Sequence, residues 1–91
     1  MTRVSYTSQL YDEDGQIVAV CPELNVSSFG DTPQEALACL EEAVTLFLEE
    51  CKRIGSLEMV LEEAGYQLDA AIQQWLPRQP VQVNRLEASL A

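Results

Sequence analysis

The chain has 91 residues and carries 15 acidic side chains against 5 basic ones, with no histidine and a net charge of −10 at pH 7. That length makes a single domain whose burial is limited, so association between subunits would add to its stability. No basic residue lies between Arg3 and Lys52, which excludes phosphate-backbone recognition by that half and docking on an anionic membrane.

Val4, Tyr6, Ser8 and Leu10 alternate with Arg3, Ser5, Thr7 and Gln9, the period of a half-buried strand. Asp12-Glu13-Asp14-Gly15 is a turn, and Gly15 can take positive φ there. Ile17 to Cys21 is a continuous apolar run, which predicts a second strand buried on both faces and paired with the first as a hairpin. Pro22 ends that ladder because it has no amide hydrogen. Val26 to Phe29 forms a short third strand.

Thr32, Pro33 and Glu35 mark a helix start, with an N-cap, a favoured proline and a capping-box acid in order. Leu37, Leu40, Val44, Phe47, Leu48 and Cys51 recur at helical spacing and define its buried stripe. Lys52 and Arg53 suit the helix C-terminus, and Gly55 follows as its stop. Ser56 can cap a shorter second helix carrying Leu57, Val60, Leu61 and Ala64. Tyr66 to Leu76 is ambiguous between a short helix capped by Asp69 and irregular chain. After Pro77 and Pro80, Val81 and Val83 alternate and then shift phase to Leu86, Ala88 and Leu90, which predicts a last strand with a bulge near Asn84 and Arg85. The expected fold is a two-layer α+β sandwich: one antiparallel sheet of three to four strands under one long helix, in the order β-β-β-α-α-β. A dimer partner would cover the second face of the sheet.

Cys21, Cys39 and Cys51 are odd in number and lack zinc-ligand spacing. They read as free thiols in a reducing cytosol, and the expected location is cytoplasmic. No signal peptide and no run long enough for a membrane span is present. The residue types imply no cofactor and no metal centre, and without histidine the commonest general base is missing.

The run Val18-Ala19-Val20-Cys21-Pro22-Glu23-Leu24, then Gly30-Asp31-Thr32 with Glu35-Ala36-Leu37 and the long helix, resembles the HicB-type antitoxin family. The acidic turn at Asp12 and the later Leu57 to Gly65 segment are similar too. The resemblance implies a partly degraded RNase H-like core that binds and blocks a small basic RNA-cleaving toxin of the HicA type. It also implies no enzymatic activity, since two-metal nuclease chemistry needs several converging carboxylates. Many members add a C-terminal DNA-binding domain. Here only Arg78 and Arg85 follow Gly65, so residues 1–91 read as a short, stand-alone domain with no direct nucleic-acid contact. Asn25-Val26-Ser27 stands where many members have Pro-Gly.

Candidate partner-binding residues come from two places. Asp12, Glu13, Asp14 and Glu23 are acids that could meet a basic protein, though a solvated turn is the simpler reading for the first three. Cys39, Glu42, Leu46 and Glu50 lie on a helix flank away from the buried stripe. Leu46 there faces another chain or packs under the second helix. Trp75, the only tryptophan, either anchors an interface or seals one end of the core. The partner reading has two forms: a small basic toxin, or a homodimer or higher homo-oligomer with no toxin.

Overall fold

A computed structural model describes residues 2–91. The order is β1 (Arg3–Val4), β2 (Gln9–Glu13), β3 (Gln16–Cys21), β4 (Val26–Gly30), α1 (Pro33–Arg53), α2 (Leu57–Glu63), β5 (Gln67–Asp69) and β6 (Gln74–Leu76). The class is α+β. In place of the single expected sheet there are two of three strands each, β2-β3-β4 and β1-β6-β5. The first is antiparallel throughout, and the second pairs β1 with β6 in parallel and β5 with β6 in antiparallel.

The first sheet begins at a two-residue turn. Asp14 (φ +53°) and Gly15 (φ +86°) both adopt left-handed backbone, which matches the right-handed twist of the strands they join. The Gly15 N–H donates to Asp12 Oδ1 at 3.0 Å. Register then assigns the faces. Ile17, Ala19 and Cys21 point to the helix side, and Ala19 and Cys21 are fully buried with Ala36, Leu40 and Val44. At Gly30 the strand runs so close to the helix that an added Cβ would lie 2.7 Å from Ala36 N, a contact that only glycine allows.

Helix α1 starts as expected: the Glu35 N–H donates to Thr32 Oγ1 at 3.1 Å. Its buried stripe is Ala36, Leu40, Val44 and Cys51, with Leu37, Phe47 and Leu48 half-buried. At the far end the Ser56 N–H reaches back to the Cys51 carbonyl at 2.8 Å and closes the last turn. A second cluster forms where α2 meets the other sheet: Leu61, Tyr66 and Trp75 are buried there, and Leu24 and Leu48 pack against both clusters.

Four expectations change. The alternation from Val4 to Leu10 is not one strand, because the chain crosses between sheets at Ser5–Ser8. There the Ser5 N–H bonds the Trp75 carbonyl, and the Thr7 N–H turns to the Glu23 carboxylate. Tyr66–Leu76 is the β5–β6 hairpin, and Asp69 Oδ1 accepts the Ala71 N–H inside its turn rather than capping a helix. Residues 77–91 form no strand and pair with nothing; Val81, Val83, Leu86 and Leu90 are 81–105% exposed. Finally, β3 is covered on one face only, and Val18 and Val20 are half-buried.

Candidate partner-binding surface

Ten acidic residues lie between Arg3 and Lys52. Nine of them are exposed: Asp12, Glu13, Asp14, Asp31, Glu35, Glu41, Glu42, Glu49 and Glu50. The tenth, Glu23, is half-buried and engaged within the chain. Its Oε2 accepts the Thr7 hydroxyl at 2.6 Å, and its Oε1 accepts the Thr7 N–H at 3.2 Å and the Cys21 thiol at 3.5 Å. Burial pushes the Glu23 carboxyl up, but the hydrogen bonds from Thr7 outweigh it and hold the group below its ordinary value. Burial, with Glu23 beside it, pushes the Cys21 thiol up, so Cys21 is a packed thiol rather than a nucleophile.

The structure divides the sequence candidates into three places. Asp12, Glu13 and Asp14 share the hairpin tip. Glu23 stands past the other end of β3, roughly 17 Å away at the rise of a strand. Cys39, Glu42, Leu46 and Glu50 lie along the outer face of α1. Leu46 is 58% exposed, so neither α2 nor the C-terminal segment covers it. Glu50 is held by Arg53, whose Nε donates to Oε2 at 2.8 Å and whose Nη2 meets Oε1, and this pairing lowers the Glu50 carboxyl. Trp75 is buried in the second core cluster and serves packing. Among the described residues no three Cys, Asp or Glu side chains converge as a metal site, and no helix is long and apolar enough to cross a membrane.

The second face of the first sheet, where a dimer partner was expected, stands open, and its aromatic members were not among the sequence candidates. The register pairs Tyr11 with Val18 and Val18 with Phe29, so the three share the outer face of the first sheet. Val20 lies on the same face between Gln9 and Ser27, and Glu13 opposite Gln16 borders it. Phe29 is 62% and Tyr11 51% exposed, a large uncovered area for rings of that size. The signal in the sequence was Tyr11, which breaks the expected alternation one residue after Leu10. The combined surface is an apolar patch beside an acidic hairpin.

No family model, curated protein or solved structure matches the chain at a significant level.

Proposed function

We propose that the chain is a non-catalytic, HicB-like interaction module that masks a small basic RNA-cleaving protein. The observation that carries this reading is the exposure of nine acidic side chains along a stretch without a single cation. Opposite charge steers a basic partner to this surface, and the apolar sheet face sets the lifetime of the complex. Laid over an RNA-binding face, the acids compete directly with phosphate. The finer fold assignment, a partly degraded RNase H-like core, rests on the motif resemblance together with the hairpin, third strand and long helix in that order.

The test is a tagged pull-down from the native host at low salt, read by mass spectrometry. Recovery of a small, strongly basic protein at near-equal stoichiometry is the expected result. Its association rate falls about tenfold or more as salt rises, and rates that do not change with salt remove the steering step. Recovery of untagged copies of this chain alone replaces this reading with the second one, a homo-oligomeric module without a toxin. The uncovered face of Tyr11, Val18, Val20 and Phe29 favours that second reading.

A further inference from the structure

We infer that residues 77–91 of one copy dock on the outer face of the β2-β3-β4 sheet of a second copy, giving a reciprocal tail-exchanged dimer. This rests on the second reading above, the homo-oligomeric module, since a basic partner held on the same face would displace the tail. The tail leaves the second sheet after Leu76 and carries four large aliphatic side chains, Val81, Val83, Leu86 and Leu90, all almost fully exposed. Its projection shows in the dimensions. The radius of gyration is 15.8 Å, against about 12 Å for a compact chain of this length. The outer face of the first sheet, left uncovered among the described residues, holds Tyr11, Val18, Val20 and Phe29. Each copy therefore has an apolar segment without a surface and an apolar surface without a segment.

Charge selects the same pairing. The tail contains Arg78 and Arg85 against Glu87, a net +1, while residues 1–76 hold the remaining −11 of the total of −10. The tail thus does not repel the acidic body. The docking face is bordered by Glu13, with Asp14 at the adjoining turn, within reach of a cation carried by a docked tail. Exchange is reciprocal, so the interface is isologous and closes at two copies.

The experiment is sedimentation equilibrium on the full chain and on two variants. V83D/L86D changes the tail and F29K changes the face. All three positions are exposed, so both variants keep the fold, and circular dichroism verifies it. The expected result is a wild-type dimer at micromolar concentration, with dissociation weakened at least about tenfold in either variant. Mixing the two variants restores part of the association, because one tail and one face in the mixed pair are intact. A wild-type monomer at that concentration overturns the inference. So does a dimer that the tail variant leaves unchanged. A monomer whose radius of gyration in small-angle scattering shrinks to the compact value also overturns it, by showing the tail on its own face.

Discussion

Thr7→Val tests the junction between the two sheets. The substitution keeps the branched shape and the backbone N–H but deletes the hydroxyl that reaches Glu23 Oε2 at 2.6 Å. A hydrogen bond to a charged group contributes about 1.5–3 kcal/mol net. Thr7 is exposed and Glu23 only half-buried, so solvent competes and the expected loss is about 1 kcal/mol. Glu23→Gln alone costs a similar amount, and the double variant costs less than the two together by about 1 kcal/mol of coupling. Urea unfolding of the four proteins at neutral pH measures the cycle. The pH dependence adds an independent check. The folded Glu23 carboxyl lies below its unfolded value, so its stabilisation is complete above the ordinary carboxylate range and disappears as pH falls through the folded value. The gap between wild type and Thr7→Val therefore closes in acid. Strict additivity, or a gap unchanged from neutral to acid pH, would refute the role assigned to this pair.

Leu61→Ala empties a fully buried site in the second cluster and is expected to cost about 2–5 kcal/mol in chemical denaturation. Tyr66→Phe removes a 2.7 Å bond from the phenol to the Ser5 carbonyl, an expected loss of about 0.5–1.5 kcal/mol. In wild type that phenol is raised by burial first and by the nearby Glu23 second, so a spectroscopic titration finds the Tyr66 phenol ionising above the ordinary tyrosine range. A thiol reagent on the native protein modifies half-exposed Cys39 before buried Cys21 and Cys51, as peptide mass spectrometry reads it. Gly15→Ala meets no neighbouring atom but must hold φ near +86°, a strain of about 1 kcal/mol. Gly30→Ala collides with the Ala36 backbone and costs more, which paired melting curves show.

The hairpin turn, the third strand and both ends of the long helix were legible because each depends on local chemistry. Asp14-Gly15, the Thr32 cap and the spacing of Leu40, Val44 and Cys51 act over a few residues. The split of the N-terminal strand was not legible, because its cause is Glu23, sixteen positions beyond Thr7. The β5–β6 hairpin escaped for a related reason. Its strands have three residues each, and their pairing is held by Trp75 and by β1 from the start of the chain. The C-terminal alternation at Val81 and Val83 reads as a strand locally, yet among the described residues none pairs with it. Of the candidate surface, the acids were read correctly as exposed, apart from Glu23. The apolar run from Ile17 to Cys21 implies a second sheet face in need of cover, but its aromatic members Tyr11 and Phe29 do not show locally, because the alternation through Leu10 sets the opposite phase.

The parallel pairing of Arg3 with Gln74 and Val4 with Trp75 fixes an order of events during synthesis. Strands β2 to β4 and α1 hold their core in contacts made by about the first fifty residues, and that part can collapse while the chain is still emerging from the ribosome. The first strand must wait for a partner about seventy positions downstream, and closing so long a loop is slow. Nascent chains halted before Trp75 should therefore have a protease-resistant first core and a free, cleavable N-terminus, with the last β-strand acting as the latch that ends folding.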